Sequence, residues 1–197
     1  ERMREDGLHD VHSEPVTVPV WVRGEERVEV LSPRSRELSV LTLGGSVGTG
    51  GEPLEADVVV VDSFEHLEAL GEAVKGRVVL FDVPFTTYGE TNPYRTRGAT
   101  AASSQGAAAV LVRSVGHMVA QTPHTGGVWY GDEVPPIPAV AVTAEDAAWM
   151  RRVSERGKPV RVRLTLGAHD DGEAPSQNLL GEVPGREHPD ALVVIGG

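Results

Sequence analysis

The chain has 197 residues, of which 40% are hydrophobic and 5% aromatic, so it can bury the core of a folded domain. Its formal net charge is −11, from 29 acidic and 18 basic residues, and no basic stripe stands out, which argues against nucleic acid and anionic membrane surfaces as partners. It has no cysteine, which excludes disulfides, thiolate chemistry and Cys-based zinc sites.

The first third of the chain contains short strand patterns. Alternating valines predict a β-hairpin over residues 15–31, with its turn at residues 23–26. Residues 38–43 are predicted as another short strand, which ends in the glycine-rich stretch 44–51. The continuous apolar run at residues 57–61 is typical of a strand that is covered on both faces.

The middle of the chain alternates between helix and strand. Ser63 is the predicted cap of a short helix over residues 64–76, and residues 77–81 are a predicted buried strand. An Asn-Pro pair predicts the start of a helix over residues 92–106, and a strand follows at residues 108–112. The two strands and the helix between them predict a strand–helix–strand unit with a right-handed crossover.

The second half of the chain is predicted to contain a long loop, four strands, one helix and a polar linker. In chain order these are the irregular loop 116–136, the strand 137–142, a helix capped by Thr143 and ended by Gly157, the strand 160–166, the linker 169–176, and the strands 178–183 and 191–195. Thr143 followed by Asp146 is a capping-box signature for that helix.

Two motifs in the chain suggest catalysis or metal binding but are better explained as surface structure. Gly44-Gly45-Ser46-Val47-Gly48 matches the G-x-S-x-G nucleophile elbow, yet the residues that follow cannot form the helix this motif requires, so a flexible loop is predicted. The same stretch lacks the Gly-Lys-Ser/Thr ending of a phosphate-binding loop. The pair His9 and His12, and His169 in the polar linker, are predicted to be solvated because neither group supplies three convergent ligands.

Six stretches, in order, resemble carboxypeptidase Q-like zinc exopeptidases. They are Pro-Val-Trp-Val-Arg-Gly-Glu-Glu at 19–26, Tyr-Arg-Thr-Arg-Gly-Ala at 94–99, Val-Arg-Ser-Val at 112–115, Pro-His-Thr-Gly at 123–126, Ile-Pro-Ala-Val at 137–140 and Asn-Leu-Leu-Gly-Glu-Val-Pro-Gly at 178–185. The resemblance covers most of the chain from about residue 11 onward.

The resemblance implies an α+β fold: a protease-associated domain of the open, barrel-like swivelling β/β/α type, with appended strands of an α/β zinc peptidase domain. It divides the chain into a first peptidase piece at residues 1–36, the inserted protease-associated domain at 37–167 and the start of the main peptidase domain at 168–197. In such enzymes a His-x-Asp zinc motif follows the strand that corresponds to residues 192–195, and this chain stops before it.

The resemblance also implies what the chain does. We expect a non-catalytic domain that shapes or covers the active-site cleft of a secreted extracellular or periplasmic exopeptidase, which trims peptides or dipeptides. Two zinc ions belong to the parent peptidase domain and none to this chain, which alone should be inactive. The expected partners are the remaining peptidase domain and peptide substrates, and the apolar flanks make a homodimer possible.

Four residues are the candidates for the substrate cleft. His124 and Tyr130 lie in the long loop, and loops of that length often carry function. Tyr94 and Arg95 belong to one of the resembling stretches, and Arg95 is suited to pair with a substrate carboxylate. The alternatives are that His124 bonds nearby backbone and that Arg95 bonds a helix carbonyl or a neighbouring glutamate.

Two other function classes remain open at this stage. One is a stand-alone module that binds peptides or proteins, which would have no need of the strands at residues 15–31 and 178–197. The other is a small α/β enzyme, which is weakened because the sequence contains no nucleophile–base or metal constellation.

Overall fold

The computed structural model describes residues 1–117, 121–131, 134–188 and 191–196, which fall into two compact units. The smaller unit combines Glu1–Val20 with Gly172–Gly197, and the larger one is Trp21–Asp171. The strands are β1 His9–Val22, β2 Glu26–Ser32, β3 Arg36–Glu37, β4 Val40–Thr42, β5 Leu54–Val61, β6 Val78–Phe81, β7 Ala109–Arg113, β8 Ala139–Val142, β9 Arg161–Leu166 and β10 His169–Glu182. The helices are α1 Arg2–Glu5, α2 Phe64–Leu70, a 3-10 turn Gly71–Val74, α3 Tyr88–Thr96, α4 Gly98–Ser104 and α5 Ala144–Glu155.

The larger unit is built on an eight-stranded mixed sheet. Its strand order is β3-β2-β9-β5-β6-β7-β8-β4. The run β5-β6-β7-β8 is parallel, and the outer strands pair antiparallel. The sheet curls and brings strands from its two ends together: the carboxylate of Glu26 on β2 accepts the backbone N–H of Thr42 on β4.

Helices cover both faces of the parallel part of this sheet. Successive residues of β6 point to opposite faces, so Leu80 joins one buried cluster and Phe81 the other. The first cluster includes Ala147 and Met150 of α5. The second includes Leu67 of α2 and small residues of α4, and the close approach of α4 depends on Gly98, where a Cβ would lie 2.9 Å from Cε2 of Phe81.

Most predicted elements of the larger unit are confirmed. The five strands predicted within residues 57–166 correspond to β5, β6, β7, β8 and β9. Ser63 caps α2 by accepting the N–H of His66 at 3.0 Å, and Thr143 caps α5 by accepting the N–H of Asp146, also at 3.0 Å. Asp146 does not complete the capping box, since its carboxylate binds Arg36 instead.

The predicted hairpin over residues 15–31 is wrong in its pairing. Both strands form, but β1 pairs with β10 in a two-stranded sheet, whereas β2 pairs with β3 and β9. The reason is burial: Val28 and Val30 of β2 are 0% exposed in the core beside the equally apolar β9, and this pairing outweighs the local turn signal.

The helix predicted from residue 92 starts four residues earlier and is broken in two. Thr87 is the cap of α3, and its hydroxyl accepts the N–H of Glu90 at 3.3 Å. Pro93 therefore lies inside α3 rather than in its first turn. The chain leaves helical geometry at Arg97, and α4 begins at Gly98.

The C-terminal predictions are wrong at two places. The polar linker predicted at residues 169–176 is part of β10, which pairs with β1. Both strands are mostly exposed, so β10 has the polar composition that is also typical of a linker. The strand predicted at residues 191–195 is not formed, and Leu192 and Ile195 are 83% and 92% exposed. High β-propensity makes no strand without a partner strand for its backbone groups.

Which residues belong to which domain of a longer protein stays a prediction.

In the part of the chain that the structure covers, none of the helices combines the length and the apolar character needed to span a bilayer.

Candidate functional site

The candidate site centres on residues 123–130, which we call the anchored loop. Its first half is fixed by backbone hydrogen bonds to the strands beneath it. The N–H of His124 donates to Oγ of Ser114 at 2.8 Å, just after β7. Gly44, just after β4, donates to the carbonyl of Gly126 at 2.8 Å and accepts the N–H of Val128 at 2.9 Å.

The second half of the anchored loop is fixed to the helices. The N–H of Trp129 donates to the carbonyl of Thr96 in α3 at 2.8 Å, and its carbonyl accepts the hydroxyl of Thr100 in α4 at 2.6 Å. The hydroxyl of Tyr130 donates to the carbonyl of Ile137. The loop is therefore irregular in form but hydrogen-bonded along its whole length.

This anchoring presents two side chains to solvent. Pro123 and Val128 are buried, whereas His124 is exposed and Trp129 is 79% exposed. Trp129 stands at the edge of an open groove of about 1050 Å³ whose apolar wall includes Phe64 and Ala101.

Arg95, predicted to meet substrate, lies behind the anchored loop and is only 6% exposed. Its Nη1 donates to the carbonyl of Thr125 at 3.2 Å and its Nη2 to the hydroxyl of Tyr88 at 2.6 Å. The guanidinium carbon is 5.5 Å from the centre of the Tyr88 ring. Gly126 leaves room for it, since a Cβ there would lie 2.4 Å from Cζ of Arg95.

The two tyrosines predicted for the cleft pack against the core. The ring of Tyr94 stacks on Phe64 with centroids 4.5 Å apart, and burial raises the pKa of its hydroxyl. Burial also raises the pKa of the Tyr130 hydroxyl, to about 12. The structure thus places Arg95 behind the anchored loop, bonded to the residue after the exposed His124, and gives both tyrosines packing contacts. The role of all four residues at a cleft stays a prediction.

Tyr88 is the residue that sequence reasoning missed. It is 54% exposed and holds Arg95 through its hydroxyl. The signal that was available is the Thr87 cap with Glu90 three residues on, which places Tyr88 in the first turn of α3 and Arg95 seven residues, two turns, further along the same face.

The G-x-S-x-G stretch is a loop, as predicted, and its serine is structural. Ser46 is 1% exposed, and its Oγ accepts the N–H of Ala139 at 2.8 Å, which ties the loop to the start of β8. The carbonyl of Ser46 accepts the indole N–H of Trp21 at 2.8 Å.

A second charged centre, the Asp82 cluster, consists of Asp62, Asp82, Arg113 and Arg151. Asp82, directly after β6, is 2% exposed, and its carboxylate accepts from Nη1 of Arg113 at 2.8 Å and Nε of Arg151 at 2.5 Å. Asp62, directly after β5, lies 3.9 Å from Arg151. Its pKa is lowered by the hydrogen bond from His66 and by the positive charge of Arg151.

The described residues do not fit a zinc site. Among residues 1–117, 121–131, 134–188 and 191–196, no group of three or more histidine, aspartate or glutamate side chains converges as metal ligands would. His12 instead bonds the carbonyl of Asp10 at 2.7 Å, which with the nearby carboxylates raises its pKa. His169 bonds the carbonyl of Gly167 at 2.8 Å.

No protein-family model matches the sequence. Carboxypeptidase Q of Xenopus laevis is 42% identical over 195 residues, which are 99% of this chain and 42% of that protein. The crystal structure of a peptidase M28 precursor from Shewanella amazonensis matches with a TM-score of 0.87 at 35% identity, over 94% of this chain and 43% of that one. The zinc aminopeptidase BSAP of Bacillus subtilis, at 22% identity, TM-score 0.58, and coverage of 94% of this chain and 39% of that one, shares the fold.

The chain thus spans about two fifths of the length of the relatives it matches. Because the similarity runs over nearly its whole length, the chain belongs to the family of carboxypeptidase Q and the related M28 peptidases.

Proposed function

We propose that the chain is the protease-associated domain, with flanking peptidase segments, of a zinc-dependent exopeptidase, and that it shapes or covers the active-site cleft. The observation that carries the proposal is the end-to-end match of this chain to two fifths of carboxypeptidase Q. The larger unit supports it further, because Trp21–Asp171 has its own curled sheet and its own core, as an inserted domain requires.

The proposal assigns the hydrolytic chemistry to the rest of the protein. Two zinc ions and their ligands would come from the remaining peptidase domain, and the ions would supply Lewis-acid chemistry for hydrolysis of the peptide bond. The substrates would be peptides or dipeptides. Secretion is proposed with this function, in keeping with the description of the Shewanella relative as a precursor.

The contribution of this chain would come from the anchored loop. A cleft wall has to hold its contact groups in place before substrate arrives. The anchored loop does so for the exposed His124, whose backbone N–H is fixed by Ser114, while its imidazole remains exposed. An exposed imidazole on a fixed backbone is suited to bond a polar group of a bound peptide.

The test is His124→Ala in a full-length enzyme that contains this chain. Losing a charge-assisted contact would cost roughly 1.5–3 kcal/mol of transition-state binding, about a 10- to 100-fold fall in kcat/KM. The thermal midpoint should stay nearly unchanged, because the imidazole is exposed. His9→Ala, a similarly exposed histidine of the smaller unit, is the control. Unaltered kinetics in His124→Ala would show that the imidazole makes no contact that matters for catalysis.

The isolated chain provides a second test of the same proposal. It should hydrolyse neither aminoacyl nor dipeptide substrates and should show no stoichiometric zinc site in calorimetric titration. A sub-micromolar zinc site accompanied by turnover would contradict the proposal.

A second candidate function, a binding module, is favoured by Trp129. A large aromatic side chain at a groove edge, 79% exposed yet fixed by two backbone hydrogen bonds, is the kind of anchor that interfaces use. If binding of a peptide or protein is the main function, Trp129→Ala should abolish it while the kinetics of the full-length enzyme remain unchanged.

Self-association is proposed to come from the smaller unit. Its exposed large apolar side chains among the described residues are Val18, Leu179, Leu180, Val183, Leu192, Val193, Val194 and Ile195. Light scattering measures self-association of the full chain and of residues 21–171, which form a compact unit with their own core. We expect the full chain to associate more strongly. Equal association of the two forms would exclude the smaller unit as the cause.

A further inference from the structure

Arg95 differs from the other buried charged residues of the larger unit. Among the described residues, Asp82 and Asp146 are the buried acids, and each has an arginine partner: Arg113 at 2.8 Å and Arg36 at 2.7 Å respectively. No carboxylate of the described residues lies within ion-pairing distance of Arg95, although it is only 6% exposed.

The contacts of Arg95 leave its charge uncompensated. Both of its hydrogen bonds go to neutral oxygens, the carbonyl of Thr125 and the hydroxyl of Tyr88. Its Nε is buried and has no hydrogen-bond partner. Taking a cation out of water without an anion is costly, so such a residue is well placed to meet an anion that arrives from outside.

Tyr88 connects this buried charge to solvent. An arginine N–H can only donate, so the Tyr88 oxygen accepts, and its own O–H proton is left for another acceptor. Within the described residues no acceptor for that proton is present, and the side chain is 54% exposed. A hydroxyl that already accepts from a cation is a stronger donor, because hydrogen bonds in a chain polarise one another.

The nearest acid on the same helix turn is already engaged. Glu90, two residues from Tyr88, accepts the hydroxyl of Thr86 at 2.7 Å, and the hydrogen bonds from Thr86 and Thr87 lower its pKa. It therefore has its own partners and makes no ion pair with Arg95.

We infer that Tyr88 and Arg95 together form a binding site for a carboxylate group. One carboxylate oxygen would accept the O–H of Tyr88, and the charge would lie over the guanidinium that backs it. The carboxylate could belong to the C-terminus of a peptide or to an acidic side chain. This inference goes beyond the proposed function, since the site is complete within this chain and does not depend on a peptidase cleft.

The test is NMR titration of the isotope-labelled 197-residue chain with two matched probes, in a buffer without other carboxylates or phosphate. N-acetylglycine carries a carboxylate, and N-acetylglycinamide replaces it by an amide. We expect saturable shifts at Tyr88, Arg95 and Thr125 with N-acetylglycine, and at least tenfold weaker binding of the amide. Tyr88→Phe should weaken binding of N-acetylglycine roughly tenfold, the usual effect of losing one charge-assisted hydrogen bond.

Tyr94→Phe is the matched control, because Tyr94 lies on the same helix and makes ring contacts only. Tyr88 is exposed, so its phenylalanine variant should fold, and the thermal midpoint checks this. Equal shifts with the acid and the amide would overturn the inference, and so would wild-type affinity in Tyr88→Phe. The α-amide of N-acetylaspartic acid, whose only carboxylate is the side chain, distinguishes the two sources. Tighter binding of this probe supports an acidic side chain as the ligand, and tighter binding of N-acetylglycine supports a peptide C-terminus.

Discussion

The Asp82 cluster and the anchored loop stabilise neighbouring parts of the larger unit by different interactions. In the cluster, a buried carboxylate at the end of β6 is bound by two arginines. Among the described residues, every hydrogen bond of the anchored loop joins neutral groups except the one that Arg95 donates to the carbonyl of Thr125, and the other hydrogen bond of Arg95, to Tyr88 in α3, also goes to a neutral oxygen. A buried charge that is paired serves stability, whereas one that is left unpaired is available to a ligand.

The difference predicts unequal losses of stability on mutation. Removing one partner of a buried ion pair leaves the other charge without compensation and is strongly destabilising. Removing a buried charge that has no ionic partner relieves a desolvation cost at the same time as it removes hydrogen bonds.

The largest effect is expected for Asp82→Asn. The change leaves Arg113 and Arg151 without their shared carboxylate and should lower the free energy of unfolding by about 3 kcal/mol. Urea denaturation at neutral pH measures it. Asp62→Asn, at a carboxylate of the same cluster that is 53% exposed, should cost under about 1 kcal/mol. Equal losses in the two variants would show that burial of Asp82 is unimportant.

A smaller effect is expected for Gly126→Ala, which tests the packing behind the anchored loop. The new Cβ would lie 2.4 Å from Cζ and 2.5 Å from Nε of Arg95, so the buried guanidinium has to move. Such overpacking should cost about 2 kcal/mol. Gly127→Ala is the control, because its Cβ would be 3.8 Å from the carbonyl oxygen of Gly44, an ordinary contact. If the two variants are equally stable, the loop does not hold Arg95 in place.

Arg95→Met should lower the free energy of unfolding by about 1.5 kcal/mol, less than Asp82→Asn. The two variants compare a buried charge without an ionic partner with one that has two. Two hydrogen bonds to neutral oxygens are lost, but a buried unpaired charge is lost with them. The same urea experiment applies. A loss as large as that of Asp82→Asn would mean that the charge of Arg95 stabilises the fold and is not held for a ligand.

Strands with both faces buried could be predicted from sequence, and strands whose pairing depends on distant residues could not. The apolar run at residues 57–61 predicted a strand, and the structure has β5 there. The valines of β2 were also found, but their partner β9 lies more than 120 residues away, and a local turn suggested the wrong neighbour. The polar β10 was missed because neither of its faces enters a core.

The candidate site was predictable only where residue type carried the signal. Arg95 and His124 stood out as a cation and an imidazole in informative stretches, and in the structure each makes a hydrogen bond that holds the anchored loop. Tyr88 did not, because the start of α3 was placed at the Asn-Pro pair rather than at Thr87. Whether a buried arginine has an acidic partner is a property of the fold, and sequence spacing does not contain it.

The smallest expected effect is a loss of folding stability at alkaline pH that comes from Tyr130, at the end of the anchored loop. Burial raises the pKa of Tyr130 from 10.0 to about 12 in the folded chain. The stability that comes from the protonated Tyr130 hydroxyl is fully present below pH 10 and is lost as pH rises toward 12, because the unfolded chain loses this proton at a lower pH than the folded chain. At pH 11 the wild-type chain should have lost about 1 kcal/mol more than Tyr130→Phe, after allowance for the partial exposure of the ring. Urea denaturation of both chains at pH 9 and pH 11 measures the difference, and groups that titrate in both chains cancel. Phenolate absorbance should show the Tyr130 transition above that of a free tyrosine, and an equal pH slope in the two chains would contradict a buried hydroxyl at the end of the anchored loop.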